Sequence, residues 1–363
     1  MKPKIIAVVG PTASGKSTLA NEIVKKFNGE ILCVDSRTVY RGMDVGTAKD
    51  VVGGNRGKGR GKDVNYLDFF ARFFKGFFGK KITNYFKITR RDPSLARDDR
   101  FKGIRLPSLS PLPSPLDIPH HGIDLVEPNE EMNGALFKEY ADKVIADMVS
   151  RGKLPVLVGG TGLWFDMIID NLAMPEVEPD LKLRAELEQR SEEDLFAEFV
   201  ALDPIGAEVI DRKNKRRLIR ALEVCKKTGQ PFSELRKKGE PKYDTLWLGV
   251  DWPIPILNER IDRRVDEMVA VGANGHSPLI DEVKNLIEKF GCNVYALSGI
   301  GYQEICRYLN NQISLPEAID EIKLNTKHYA KRQRTWFKRN KKIQWLSDVS
   351  AAEKLVSEWL GNK

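Results

Sequence analysis

Short apolar runs alternate with segments of helical periodicity along much of this chain. The apolar runs occupy residues 5–9, 30–34, 154–158 and 246–250. Segments whose apolar residues recur three and four positions apart lie at 18–27 and 137–150. Buried strands that alternate with helices predict an α/β fold whose strands run parallel in one sheet. Ligands of such sheets bind where the strands end, so the segments that follow the apolar runs are the first candidates for chemistry.

A different pattern begins near residue 176. Residues 176–240 are charged, helical in pattern and without a convincing strand, which predicts a helical insertion subdomain. After the apolar run at 246–250, helical patterns continue to the end of the chain. We therefore expect a catalytic core over residues 1–175, the helical subdomain over 176–240, and a return strand followed by a mainly helical part over 241–363.

Residues 51–116 interrupt the alternation. This segment begins Gly-, Arg- and Lys-rich and ends Pro-, Ser- and Leu-rich, and neither end has a core-forming pattern. Between them, six phenylalanines at 69–78 would cover about half the circumference of a helix. A helix for a partner or a membrane surface, an aromatic platform for nucleic acid, an insertion without a role and a translated non-coding stretch all stay open. Residues 272–278 form a second, shorter interruption.

Composition narrows the class of protein. No apolar run among the 363 residues approaches the ~20 residues that span a bilayer. Four widely spaced cysteines form no metal-binding pattern and are typical of a reduced, cytoplasmic protein, which we expect to be a monomer. The net charge of +8 arises within residues 51–116, which carry +10 and leave −2 for the rest. The basicity therefore indicates nothing about the fold as a whole.

Residues 10–17 carry the most specific motif. They read Gly-Pro-Thr-Ala-Ser-Gly-Lys-Ser and match G-x-x-x-x-G-K-[ST] at every position, between an apolar run and a helical segment. Glycines let backbone N–H groups point at phosphate oxygens, and the helix N-terminus adds partial positive charge. Lys16 adds a full charge, and the Ser17 hydroxyl can bind Mg²⁺. The loop predicts a polyphosphate site with Mg²⁺ as cofactor, and leaves open whether the polyphosphate is ATP.

Three strand-end segments should meet at one crevice. They are the phosphate loop, Asp35 with Ser36, and the Gly-rich turn at residues 159–162. The carboxyl ends of parallel strands share one edge of a sheet, so these segments are expected to lie close together. From its position alone, Asp35 could cap a helix or position Mg²⁺.

The stretch from residue 35 to residue 49 resembles a known family. With the phosphate loop, it matches GPTASGK[ST] followed by DS…YRGMDIGTAKP, the pattern of the bacterial tRNA dimethylallyltransferases (tRNA isopentenyltransferases). Further matches, in the family's order, are 119–124 to PHHLID, 158–164 to VGGTGLY, 214–224 to D-x-RRIIRALEV, 257–268 to LxxRIxxRVDxM, 301–305 to GYxEI and 331–337 to KRQxTWFR. The resemblance implies a P-loop NTPase-like α/β core with a parallel sheet and a helical insertion subdomain.

The resemblance also implies a reaction. Members transfer the dimethylallyl group of dimethylallyl diphosphate to N6 of the adenosine 3′ of the anticodon in tRNA. Lys16, Mg²⁺ and Arg263 would then stabilise the diphosphate leaving group, with Arg260 as a weaker candidate. Asp35 would be the base for the amine, and Thr161 would lie near the reacting centre. The implied diphosphate-binding residues are Gly10, Thr12, Ala13, Ser14, Gly15, Lys16, Ser17, Thr18 and Arg260, with Ser17 as the metal ligand.

Contact with the anticodon stem-loop of tRNA is expected from the strand ends and from basic segments. The target base must leave a stacked loop to reach a buried centre, and basic and aromatic side chains should hold that loop. Residues 323–342 carry six Lys and three Arg with no acid, and aromatic residues lie among them. The expected tRNA-binding residues are Asp35, Ser36, Arg37, Thr38, Thr161, Lys215, Arg216, Arg217, Leu218, Ile219, Arg220, Arg332, Arg334 and Trp336. The pair His120 and His121 is expected to serve structure.

Three other functions stay open. An enzyme that prenylates free adenine nucleotides would share the phosphate loop and Asp35 but would have less need of the basic segment 323–342. A small-molecule P-loop kinase would use ATP and would give no reason for the basic segments. An inactive RNA-binding relative is disfavoured, because Lys16, Ser17 and Asp35 are all intact.

Overall fold

The computed structural model describes residues 2–49, 118–175, 177–272, 275–346 and 349–361. The predictions made for residues 51–116, including the phenylalanine-rich helix, lie outside these residues. In the described part of the chain, six strands form one sheet in the order β3-β2-β4-β1-β5-β6, and every neighbouring pair is parallel. The strands are β1 (Lys4–Val9), β2 (Gly29–Val34), β3 (His120–His121), β4 (Leu154–Gly159), β5 (Asp244–Val250) and β6 (Gln344–Leu346). The predicted parallel α/β fold is confirmed.

Helices connect and cover the strands. They are α1 (Lys16–Lys26), α2 (Gly134–Ser150), α3 (Gly162–Ile169), α4 (Leu181–Glu188), α5 (Glu192–Leu202), α6 (Pro204–Val209), α7 (Lys215–Thr228), α8 (Phe232–Leu235), α9 (Ile254–Val269), α10 (Pro278–Phe290), α11 (Tyr302–Leu309), α12 (Leu315–Phe337) and α13 (Val349–Leu360), with a 3₁₀ helix at Tyr295–Ser298. Successive residues of the central strands enter different cores. Ile6 and Val8 pack with α1 and α13, whereas Ile5, Ala7 and Val9 pack with α2, α3 and the later helices. Both faces of the sheet are therefore covered.

The sequence analysis did not predict β3 and β6, the two edge strands of the sheet. β3 consists of the two histidines and pairs with β2. His121 Nε2 lies 3.0 Å from Glu30 Oε2, and Arg151 also binds this carboxylate. Burial alone would raise the pKa of Glu30, but hydrogen bonds with Arg151 and His121 lower it to about 2. These contacts are structural, as expected for the histidine pair.

The helices α4 to α8 pack on one another rather than on the sheet. Leu187, Leu195, Phe199 and Leu222 form a core of their own, separate from the two cores against the sheet. The chain enters and leaves this unit through paired backbone, with the Ala173 amide bonded to the carbonyl of Lys237 at 2.9 Å. The apolar faces of these amphipathic helices are therefore buried against one another within the unit.

The chain segments on either side of residues 50–117 are held together. The buried ammonium of Lys49 lies 2.5 Å from Asp124 Oδ1 and 3.0 Å from Asp44 Oδ1. Tyr40 and Val126 form an isolated parallel bridge. On the other side, the Glu282 carboxylate accepts hydrogen bonds from the backbone amides of residues 44–46. The segment after β2 is therefore anchored independently of the long stretch that follows it.

Candidate active site

The phosphate loop joins β1 to α1 in a conformation that depends on its small residues. Gly15 has φ +96° and Ala13 has φ +60°, both in the left-handed region. A Cβ on Gly10 would lie 2.3 Å from the carbonyl oxygen of Val250, so β5 passes too close for any other residue. Gly15 caps α1 without a side-chain hydrogen bond. The first amides of the helix therefore face the loop, as in an anion-binding site.

A buried hydroxyl in this loop points to a missing ligand. Ser14 is 2% exposed, and its Oγ has no hydrogen-bond partner within the described residues. Buried polar atoms in native proteins are nearly always satisfied, so a bound polar group is expected beside it. Ser17 lies in the first turn of α1 and is partly buried. This combination of backbone amides, hydroxyls and Lys16 fits a diphosphate.

Two arginines of α9 contact the loop from the opposite side. Arg260 Nε donates to the carbonyl oxygen of Ala13 at 2.7 Å. One helical turn later, Arg264 Nη1 donates to Thr12 Oγ1 at 3.0 Å. Trp252, which stacks on Arg260 with 5.3 Å between guanidinium and ring centre, donates its indole N–H to the carbonyl oxygen of Ser14 at 2.7 Å. The loop is thus clamped between α1 and α9 by side chains that carry positive charge.

The sequence prediction named Arg263 as the catalytic arginine, and the contact with Thr12 of the loop comes from its neighbour Arg264. Residues 260 and 264 share one face of α9, whereas Arg263 is exposed on the adjacent face. The register of the motif could have revealed this, since the second arginine of LxxRIxxRVDxM falls on 264. Arg260, the weaker candidate, has a direct contact with the loop.

Asp35 lies at the carboxyl end of β2, next to the turn after β4. Its Oδ1 accepts the backbone N–H of Arg37 at 2.9 Å. Thr161 Oγ1 accepts the backbone N–H of Ser36 at 3.1 Å, which joins the two strand ends. Asp35 Oδ2 faces Gly160, at 3.7 Å from the position that a Cβ would take. The predicted meeting of these segments is confirmed by the geometry.

A residue that the sequence analysis missed connects this turn to the phosphate loop. The side chain of Gln333, on α12, is only 4% exposed. Its Oε1 accepts the backbone N–H of Thr12 at 2.8 Å, and its Nε2 donates to the carbonyl oxygen of Gly160 at 3.0 Å. Both ends of the amide are used, and the two partners determine its orientation. Gln333 therefore fixes the distance between the loop that would bind the donor and the turn beside Asp35.

Aromatic residues of α12 surround the same turn. Burial and the nearby Asp35 carboxylate raise the pKa of Tyr329, while an interaction with Thr161 opposes the shift. Trp336 packs over Gly162, where a Cβ would meet the indole ring at 2.2 Å. The exposed Arg332 lies over the Tyr329 ring at 5.8 Å. α12 therefore contributes buried contacts to the site and an exposed basic surface beside it.

The basic run on α7 divides into two kinds of residue. Leu218 and Ile219 are buried in the core of the helical unit, so the expectation that their side chains contact tRNA is wrong. Arg220 bonds the buried Glu223 carboxylate and the carbonyl oxygens of residues 175 and 177, and acts within the unit. Arg216 and Arg217 are exposed at the start of the helix, and Lys215 donates to a carbonyl of α4.

Three other expected tRNA contacts have internal partners. The side chain of Thr38 is buried and donates to the carbonyl oxygen of Asp35 at 3.2 Å, so it is not available to a nucleic acid. Arg334 forms an ion pair with Asp251, with Nε 2.9 Å from Oδ2. Arg37 donates to two carbonyls and a hydroxyl of the 3₁₀ helix. Arg37 and Thr38 were predicted from the strand end and Arg334 from the basic segment, and neither signal reveals the partners that these side chains have inside the protein.

Comparisons with known proteins identify the family of this chain. Residues 101–340 match the family model described as IPP transferase. The tRNA dimethylallyltransferase of Pelotomaculum thermopropionicum is 34% identical over 97% of this chain and 93% of its own length. That of Roseiflexus sp. is 35% identical, with 98% of both chains covered. The chain belongs to the IPP transferase family. The family assignment made from the motifs is therefore confirmed.

Solved structures of this family share the architecture. The full-length tRNA isopentenylpyrophosphate transferase of Bacillus halodurans is 31% identical, with a TM-score of 0.59, covering 99% of this chain and 96% of that one. A eukaryotic dimethylallyltransferase acting on tRNA gives a TM-score of 0.67 at 24% identity, which shows the common fold. This IPP transferase thus has the predicted P-loop-like core with a helical unit inserted between β4 and β5.

Proposed function

We propose that this IPP transferase moves the dimethylallyl group of dimethylallyl diphosphate to N6 of the adenosine 3′ of the anticodon in tRNA. One observation carries the proposal. An anion-binding loop after β1 and a carboxylate, Asp35, after β2 lie on either side of the turn that follows β4, and the buried amide of Gln333 bonds the loop to that turn. This arrangement supports a reaction in which an anionic leaving group departs on one side while a proton is taken up on the other.

On the donor side, the bond between the allylic carbon and the diphosphate oxygen breaks, and its electron pair stays with the diphosphate. Negative charge therefore grows on the leaving group as the transition state forms. Lys16, the first amides of α1 and the two α9 arginines, Arg260 and Arg264, surround the loop where this charge would develop. Donors that are already oriented stabilise a transition state without reorganising at the moment of reaction.

On the acceptor side, N6 of adenine attacks the same carbon and must lose a proton. We assign this proton to the Asp35 carboxylate, whose Oδ1 accepts the backbone N–H of Arg37 and whose Oδ2 faces the turn at Gly160. Thr161 joins this turn to Ser36 and keeps the two strand ends together.

Mg²⁺ would complete the donor site. Within the described ranges, no group of three His, Cys, Asp or Glu side chains could hold a metal ion. A hydroxyl such as that of Ser17, together with diphosphate oxygens and water, is nevertheless the type of environment in which Mg²⁺ is commonly held beside phosphates. When bound there, the ion would neutralise part of the diphosphate charge.

The RNA side of the proposal is supported by exposed cations on α7 and α12. Arg216 and Arg217 on α7, and Arg332 on α12, are exposed. Cations of this kind contact phosphates, and interleaved aromatic residues suit unpaired bases. No helix in the part of the chain that the structure covers is long and apolar enough to cross a membrane.

The proposal is tested by offering purified protein dimethylallyl diphosphate and Mg²⁺ with unmodified tRNA or with AMP, followed by nucleoside mass spectrometry. We expect prenyladenosine from tRNA, at the position 3′ of the anticodon. Product from AMP alone would instead favour transfer to free nucleotides. A parallel reaction with ATP, monitored for ADP, would reveal a kinase, and no prenyladenosine from tRNA would overturn the proposal.

A further inference from the structure

An exposed aromatic ring lies beside the acceptor side of the site. Tyr295, the first residue of the 3₁₀ helix Tyr295–Ser298, is 59% exposed. The guanidinium of Arg37 lies against this ring, 4.8 Å from its centre. The cation supports one face of the ring and leaves much of the side chain accessible. A flat ring held in this way is suited to stacking on its other face.

Arg37 is fixed by contacts that leave it little freedom. Its Nη1 donates to the carbonyl oxygens of Tyr295 and Ala296, both at 3.0 Å, and its Nη2 donates to Ser298 Oγ at 3.2 Å. The planar guanidinium therefore sets the position of the 3₁₀ helix and of the ring above it. Most of its hydrogen-bonding capacity is spent inside the protein, so Arg37 acts through Tyr295 rather than on a ligand directly.

This ring is tied to the proposed base through a short path. The backbone N–H of Arg37 donates to Asp35 Oδ1 at 2.9 Å, so only one residue separates the carboxylate from the residue that supports the ring. A group stacked on Tyr295 would therefore bind on the same side of the site as Asp35.

Moving the acceptor adenosine out of its stack creates a need for such a ring. When one base is extruded, each neighbouring base loses a stacking partner on one face. An aromatic side chain can replace that partner, and base–aromatic stacking is sequence-tolerant because every base has a π face. We propose that Tyr295, supported by Arg37, forms a stacking subsite for a nucleobase adjacent to the acceptor adenosine. This inference rests on the proposed function.

The test uses a synthetic anticodon stem-loop RNA with an unmodified adenosine at the acceptor position, and measures kcat and KM for prenyl transfer. Tyr295→Leu should raise KM for the RNA about tenfold and leave kcat within twofold of wild type, because stacking contributes to binding. Tyr295→Phe and Tyr295→Trp should stay within twofold, since both retain the ring. Trp345→Leu, a change to a half-exposed aromatic on the edge strand β6, is the matched control and should not change KM.

Abasic RNAs identify the stacked base. If the base 5′ or 3′ of the acceptor stacks on Tyr295, then removing that base should raise KM for the wild-type enzyme and abolish the effect of Tyr295→Leu. A KM for Tyr295→Leu within twofold of wild type would overturn the subsite, as would an undiminished effect with both abasic RNAs. Because wild-type protein prenylates the intact RNA in the same assay only if the proposed function holds, the two failures are distinguishable.

Discussion

The donor and acceptor sides of the active site differ in how much exposed surface surrounds their fixed side chains. On the donor side, cationic and polar side chains already have protein partners around the phosphate loop: Arg260 and Arg264 bind it from α9, and Gln333 binds it from α12. On the acceptor side, Asp35 and Thr161 are likewise held, but the surface beyond them carries exposed Arg332 and Tyr295.

The difference corresponds to what each side must do. A leaving group is the same in every turnover and is best met by donors that do not move. An RNA loop must enter, lose the stacking of one base and leave again, so its contacts are better provided by surface cations and rings. We therefore expect changes on the donor side to reduce kcat and changes on the outer acceptor surface to raise KM.

The largest effect should come from Asp35→Asn, at the boundary of the two sides. The amide can still accept the N–H of Arg37, but it cannot take a proton from N6, so kcat should fall about 1000-fold. Binding of tRNA, measured by filter binding, should stay within threefold of wild type. Near-wild-type turnover would show that another group is the base.

The next effect separates two adjacent arginines. Arg264→Ala removes a cation that binds the phosphate loop and should lower kcat about 100-fold. Arg263→Ala, on the adjacent exposed face of α9, should change kcat less than threefold. Steady-state kinetics with tRNA in excess would measure both. An equal fall in kcat in the two variants would mean that the contact of Arg264 with the loop makes no specific contribution to kcat.

Gln333→Met tests whether the donor loop and the acceptor turn must be held together. The thioether matches the amide in length but bonds neither Thr12 nor Gly160, so kcat should fall about tenfold. Hydrolysis of dimethylallyl diphosphate relative to transfer should rise, because the acceptor is no longer aligned. Gln312→Met, at an exposed turn before α12, is the control. An unchanged ratio of hydrolysis to transfer would argue for a purely structural role.

The smallest effects should divide the basic run of α7. Arg217→Ala should raise KM for tRNA about threefold, weaken its salt dependence and leave urea unfolding unchanged, since the side chain is exposed. Arg220→Ala should instead lower the free energy of unfolding by about 2 kcal/mol, because the buried Glu223 loses one of its two arginines. If instead Arg220→Ala raised KM for tRNA and Arg217→Ala lowered the free energy of unfolding, then Arg220, and not Arg217, would contact the RNA.

The strands that sequence predicted well are those buried on both faces. The cores of β1, β2, β4 and β5 are short apolar runs dominated by Val, Ile and Leu, as expected at the centre of a parallel sheet. Edge strands of two or three residues, such as β3, carry too little pattern to be found. The helical periodicity of residues 176–240 likewise predicted the inserted helices, because these helices bury their apolar faces on one another.

The site was predictable where a motif dictates backbone shape, and less so where side chains reach across the fold. The phosphate loop and the turn at Thr161 follow strands, so their meeting could be inferred. Gln333 lies in a basic stretch that gives no sign of an inward-facing amide, and Arg220 looks identical to its exposed neighbours. The carbonyl of Gly160 that Gln333 binds is 173 positions away, and two of the carbonyls that Arg220 binds are more than 40 positions away.

The anchored segments around residues 50–117 hold the strand end that carries Asp35 without any contribution from the residues between them. Lys49 and Asp124 close the base of that stretch with an ion pair, and the Tyr40–Val126 bridge lies beside it. Lengthening a loop whose ends are already fixed costs little, since the entropy of closure grows only with the logarithm of length. Sequence at this point can therefore expand, shrink or drift during evolution while the strand end carrying Asp35 keeps its place.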